Sequence, residues 1–276
     1  MPASGNIVLL CNLSQESQLL ARRLVQDGLR LSLIVCEAPP VQVPYSPASR
    51  LMRALVGHRL MNMVGQALLH EEDRATLRWE EAMKERADRI AQPAYAAIVA
   101  GKGWPASVAR VEVDSINEPA VVDRVRAAEP DLLAVLGTRL LREPLIGVPR
   151  RGAINAHTSL LPEYRGTRPE FWQCIRQDKD HIGVTFHLIT PRVDEGDILR
   201  QIPAQVPWPC DPYRLRAENL LIILREYPAV IRDHMTGRAA PIPQGPTPMR
   251  AWRSADLTLP RRSELRRRLE ALGITA

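Results

Sequence analysis

No apolar run in the 276 residues approaches the ~20 needed to cross a bilayer; stretches such as Asn6–Cys11 and Leu132–Leu136 are far shorter. The opening MPASGNIVLLCNLS has no basic segment ahead of its apolar run, so no secretory signal is read. A cytoplasmic location without a membrane partner is therefore expected. Cys11, Cys36, Cys174 and Cys210 show neither CxxC nor CxxH spacing, so neither a zinc site nor a redox pair is expected. Reduced, mostly buried thiols are the remaining reading. The loop Asn12–Ser17 has no glycine, so the GxGxxG dinucleotide fingerprint is missing. His70-Glu71-Glu72-Asp73 lacks a second histidine four residues on and reads as a solvated helix face. There is no internal repeat. Lys plus Arg (37) exceeds Asp plus Glu (31) by 6, which favours anionic partners without choosing among them. Much of that excess lies in Arg261, Arg262, Arg266, Arg267 and Arg268.

The length suits one α/β core with additions. Asn6–Cys11, an amphipathic stretch to Asp27 closed by Gly28, and Ser32–Cys36 read as strand, helix, strand, the opening of an open, mostly parallel twisted sheet. From Ser49 to Ile98 the spacing turns helical, and two or three helices are expected as an insertion within about residues 49–103. Arg110–Val113, Leu132–Leu136, Ala153–Ala156, Gly183–Ile189 and Asp197–Val206 read as strands, with Glu118–Ala128 as a helix. Pro207 and Pro209 suggest a boundary near residue 208. Beyond it come a helix over Tyr213–Thr236, a proline-rich linker over Pro241–Pro248 and a basic helix over Arg261–Leu272 that reads as solvated and peripheral to any chemistry.

The informative segments are INAHTSLLPEYRGTRP (Ile154–Pro169) and GVTFHLITPRVDEGDILRQ (Gly183–Gln201). Asn155 and His157 stand two apart at a strand end, which points both side chains to one side. Asn donates two hydrogen bonds and His exchanges a proton near neutrality, a pair suited to an oxyanion. Asp194, in a turn bracketed by Pro191 and Gly196, reaches the imidazole if the strands are neighbours, holding its tautomer. His187 reads as structural support and Ser159 as a hydrogen bond within its loop. Tyr164, Arg165 and Gly166 either shape an acceptor pocket or make a turn. Phe171 and Trp172 are expected to pack a helix onto the sheet.

These two motifs, NAHTSLLPEYRG and VDEGDIL, resemble those of the folate-dependent formyltransferases, most strongly over Glu129–Pro207. The resemblance implies formyl transfer from 10-formyltetrahydrofolate to an amine, with Asn155 and His157 stabilising the tetrahedral intermediate and Asp194 orienting His157 and helping accept the nitrogen's proton. It implies a folate site on Leu136, Gly137, Thr138, Arg139, Leu140 and Leu141, faced by Thr190, Pro191, Arg192 and Val193. Ser159, Tyr164, Arg165 and Gly166 would then lie toward the acceptor. No metal and no covalent nucleophile are called for.

The family spans purine precursors, initiator tRNA, nucleotide-linked amino sugars and folate hydrolysis. The glycine-free Asn12–Ser17 loop lacks the backbone nest for a ribose phosphate. The residues after Pro207 read as helix rather than as the tRNA enzyme's β-barrel. An amino-sugar or other small-amine acceptor is therefore favoured, with a tRNA-directed enzyme, a hydrolase or a catalytically silent module binding nucleic acid through Arg261–Arg268 as alternatives. The insertion and the departing C-terminus are expected to supply an acceptor site, a lid or a homodimer contact.

Overall fold

The computed structural model describes residues 5–39, 70–247 and 249–275. Strand β1 (Ile7–Asn12), helix α1 (Gln15–Gln26) and strand β2 (Leu31–Glu37) form the expected parallel βαβ unit. Ser14 starts α1 by accepting from the Ser17 amide at 3.2 Å, a cap worth about 1 kcal/mol. After α2 (Glu71–Ile98) come β3 (Ala109–Val113), α3 (Pro119–Ala127), β4 (Leu132–Leu136), α4 (Glu143–Ile146) and β5 (Ala153–His157). Then follow α5 (Pro169–Arg176), β6 (Gly183–Leu188), β7 (Ile198–Pro203), α6 (Pro212–Met235), a 3-10 turn at Ser254–Asp256 and α7 (Leu259–Ala271).

The seven strands make one mixed sheet in the order β3-β2-β1-β4-β5-β6-β7, parallel through β5 and antiparallel for β6 and β7. From β1 the chain first builds outward through β2 and β3, then resumes on the other side with β4. That reversal opens a crevice at the carboxyl ends of β1 and β4. Strand alternation feeds two layers of helices. Ile7, Leu9, Cys11, Leu132, Ala134 and Leu136 meet α1 and α6, whereas Val8, Leu10, Leu133 and Val135 meet α3 and α4. Asp211 caps α6 by accepting from the Tyr213 and Arg214 amides, each at 2.9 Å, and Pro212 fits the first turn, where no amide is needed.

One expectation falls partly outside the described residues and another changes. Of the insertion, the described part is one long helix, α2; residues 49–69, where the other expected helices would fall, lie outside the described residues. The C-terminal quarter is no loose extension. Helix α6 sits in the main core with Leu220, Leu221, Ile222, Ile223 and Leu224 buried, so residue 208 bounds no separate unit. The proline-rich stretch is tied to β7 by reciprocal Ile198–Ile242 backbone bonds of 2.8 Å. Helix α7 docks on α2 through Leu265 and Leu269, a Thr76–Ser263 hydroxyl bond of 2.8 Å and the Arg262–Glu80 ion pair. Its arginines hid that buried stripe from the sequence. Among the described residues no helix is long and apolar enough to cross a membrane.

Candidate active site

In β5, Ile154 and Ala156 enter the core, so Asn155 and His157 occupy the opposite face. Antiparallel β6 sets His187 opposite Asn155 and Thr185 opposite His157, with Val184 and Phe186 in the core. Four polar side chains thus share one face of the sheet. Thr185 supports the loop after β5, donating to the Ser159 carbonyl at 2.6 Å and accepting from the Leu161 amide at 3.0 Å.

Asp194 reaches this face from the turn between β6 and β7, with φ 51°. Gly196 lets the turn lie flat, because a Cβ there would collide with the Leu188 carbonyl. Asp194 Oδ2 accepts from the Gly166 amide at 2.8 Å and lies 3.6 Å from His157 Nδ1, while Oδ1 lies 3.5 Å from His187 Nε2. At these distances neither histidine makes a direct hydrogen bond to the carboxylate. Burial alone would raise the Asp194 pKa, but the His157 charge, His187 and the Gly166 amide together hold it well below the usual carboxylate range.

His157 Nε2–H donates to the Tyr164 carbonyl at 2.9 Å. That bond, rather than Asp194, fixes the ring and leaves Nδ1 free to exchange a proton beside the carboxylate. His187 Nδ1–H donates to the Leu188 carbonyl at 2.9 Å, and its Nε2 accepts from Asn155 Nδ2 at 3.2 Å. His187 therefore aims the Asn155 amide. The sequence reading gave it a supporting role in the fold, yet it lies in the constellation itself; its alternation with Val184 and Phe186, in step with Asn155, was the available signal.

The constellation opens into a cavity of about 940 Å³ beyond the strand ends. Leu136, Gly137, Thr138, Arg139, Leu140 and Leu141 line it, as do Thr190, Arg192 and Val193, but not Pro191. Glu37, which sequence reasoning passed over, braces the first loop by accepting from the Arg139 amide at 2.8 Å and pairing with its guanidinium at 2.9 Å. Gly137 has φ 69°, and a Cβ there would crowd Asn12 Nδ2 at 2.8 Å. Leu140 and Val193, 52% and 36% exposed, present apolar side chains from the two loops, as a flat ring requires.

Of the four residues expected near the acceptor, only Gly166 lines the cavity. Ser159 donates to the Glu163 carbonyl at 2.8 Å, buried Tyr164 donates to Asp178 at 2.7 Å, and Arg165 pairs with Glu195. These three build the turn. Phe171 and Trp172 pack α5 among α2, α7 and the tail rather than onto the sheet, and Trp172 stacks on Trp252 with ring centroids 4.1 Å apart.

The tail supplies a wall that the sequence did not announce. Arg250, Ala251, Trp252, Arg253 and Ser254 all line the cavity. The Trp252 amide donates to the Arg165 carbonyl at 2.8 Å and its carbonyl accepts from the Thr167 amide at 2.9 Å, straddling Gly166, whose φ of 98° and missing Cβ allow the approach. Gln244 Nε2 donates to the Asp194 and Gly196 carbonyls at 2.9 and 2.6 Å. Gln244, within the stretch read from the sequence as linker, and Trp252 just beyond it thus hold both turns that carry the site, whereas no residue of the helix over Arg261–Leu272 lines the cavity.

Residues 78–209 match the family model described as formyl transferase. A methionyl-tRNA formyltransferase of Chlorobium chlorochromatii is 40% identical over 90 residues, 33% of this chain and 28% of that protein. The chain thus spans under a third of the length of that curated relative. Among solved structures, a glycinamide ribonucleotide transformylase from Symbiobacterium toebii aligns with TM-score 0.55 and 21% identity, over 86% of this chain and 91% of that one. A sugar N-formyltransferase from a Shewanella species aligns with TM-score 0.53 and 11% identity, over 92% and 78%. At such identities these two structures establish the shared fold.

Proposed function

From the match of residues 78–209 to the formyl transferase family model, we propose that the chain belongs to that family and transfers a formyl group from 10-formyltetrahydrofolate to the amine of a small molecule. The observation that carries this reading is the convergence of Asn155, His157 and Asp194 on one large cavity at the strand ends. The folate's pterin would lie between the Leu136–Leu141 and Thr190–Val193 loops, where Leu140 and Val193 offer apolar surface and Gly137 leaves room.

The acceptor nitrogen adds its lone pair to the formyl carbon, and the carbonyl pair moves onto oxygen. Asn155 commits one Nδ2–H to His187 and keeps the other for that oxyanion. Protonated His157 Nδ1 supplies the second donor. A preorganised donor of this kind lowers the barrier by ~3–4 kcal/mol. Asp194, ionised by its surroundings, balances the imidazolium, while the attacking nitrogen releases its proton to water in the cavity. The oxygen's electron pair then re-forms the carbonyl, the carbon–nitrogen bond to the donor breaks with its pair going to the folate nitrogen, and that nitrogen takes up a proton equal to the one the acceptor released.

Among amines, a nucleotide-linked amino sugar is the reading we favour. Arg168 and Arg253 line the cavity, lie exposed and form no side-chain ion pair within 4 Å among the described residues, as a phosphate-bearing acceptor would need. The curated relative's name points to tRNA instead, but α7 is poorly placed to serve RNA, since Arg262, Arg266 and Arg267 are engaged by Glu80, Glu270 and Glu72. The test is incubation with 10-formyltetrahydrofolate and a panel of free and nucleotide-linked amino sugars, amino acids and methionyl-tRNA. Tetrahydrofolate release should require one of the small amines, with the matching formamide seen by mass spectrometry. Equal release without any amine would establish hydrolysis instead.

A further inference from the structure

Four carboxylates in the described residues are buried: Glu37, Glu80, Glu170 and Asp211. Three are fully accounted for. Glu37 accepts from two backbone amides and pairs with Arg139, Glu80 is gripped by Arg262, and Asp211 caps α6. Glu170 is different. It is 3% exposed, yet its carboxylate meets no hydrogen-bond donor and no ion-pair partner among the described residues. It stands in the first turn of α5, on the cavity wall. The helix's positive end offsets part of the cost of burying the charge, and the carboxylate oxygens are not sealed in but open to the cavity, where a bound molecule can supply the donors that water supplies otherwise. Arg216, whose charge interacts with Glu170, is already engaged by both oxygens of Glu16 at 2.7 Å.

Resting on the transfer reading above, we propose that Glu170 is the acceptor-recognition carboxylate, taking hydrogen bonds from hydroxyl or amide N–H donors that flank the reacting amine. The reacting amine is a poor candidate for this partner, because a carboxylate beside it would favour ammonium, which has no lone pair to attack with. Neutral donors on neighbouring atoms satisfy Glu170 without that penalty. The chemistry specified is therefore an amine bearing adjacent hydroxyl or amide groups, as on a sugar ring. Acceptors lacking those donors are rejected, because they leave the carboxylate buried and unpaired.

The test uses the full chain and Glu170→Gln, with whichever amine of the panel the wild type formylates. The amide keeps the shape and removes the charge. We expect the acceptor KM to rise about tenfold to a hundredfold, the share of a charged hydrogen bond, with calorimetric 5-formyltetrahydrofolate affinity unchanged. The free variant should melt no lower than wild type, since no partner is lost. Transfer with an unchanged KM, or a lower melting temperature, overturns the role of Glu170 and leaves the transfer reading standing. Failure of the wild type to formylate any amine overturns both.

Discussion

Asp194 stays charged although its burial opposes charge, and the groups that reverse the balance are the residues it is expected to serve. Because its folded pKa is depressed, the stability it contributes is present above the usual carboxyl value of ~3.9 and is lost as pH falls toward the folded value. The stability difference between wild type and Asp194→Asn should therefore be flat from about pH 5 upward, apart from histidine titration, and shrink below about pH 4; a change assigned to Asp194 above that would refute its low pKa. In turnover, Asp194→Asn should lower kcat by ~100-fold or more with folate affinity little altered. His187→Phe should free the Asn155 amide and cost about tenfold in kcat. A fall in melting temperature at unchanged kcat would return His187 to a purely structural place. Asn155, His157 and Asp194 were legible in the sequence because motif and alternation agree. His187 was read as structural support, and its place beside Asn155 becomes visible only once β6 is paired with β5.

At the scale of elements, the loop after β5 and the turn after β6 depend on a segment that reads as linker. Proline content signalled extended chain correctly but carried no trace of its destination, which is set by backbone bonds at Trp252 and by the Gln244 amide. Backbone pairing leaves no residue signature. Gly166→Ala tests the contact from the other side. A Cβ there collides with the Trp252 backbone at a positive φ, so the substitution should destabilise by about 2 kcal/mol and lower the melting temperature by ~4–8 °C. It should also cut kcat, because the Gly166 amide holds Asp194. Normal melting with normal turnover would show that the tail is not clamped there.

For the molecule as a whole, the strands and the mostly parallel sheet follow from patterns visible in the chain, short apolar runs, polar turns and helices between them, whereas the strand order comes from the structure. What the patterns did not give was the closure of the C-terminal quarter over the site, since Ser263, Leu265 and Leu269 are scattered among arginines. Truncation after Gly245 tests that closure. It removes the Arg250–Ser254 wall, the bonds to Arg165 and Thr167, and the α7 contact with α2. The truncated protein should melt several degrees lower and turn over little, whereas unchanged kinetics would make the tail dispensable.

A chain is made from its amino end, so the grip of Gln244 and Trp252 gives the site an order of completion in time. The Gly166 loop and the Asp194 turn leave the ribosome while the residues that fix them are still untranslated. Both signature motifs are therefore finished before the activity they advertise. A message cut between them and the tail yields a product that any motif search would count as an enzyme, with an Asp194 that nothing holds in place.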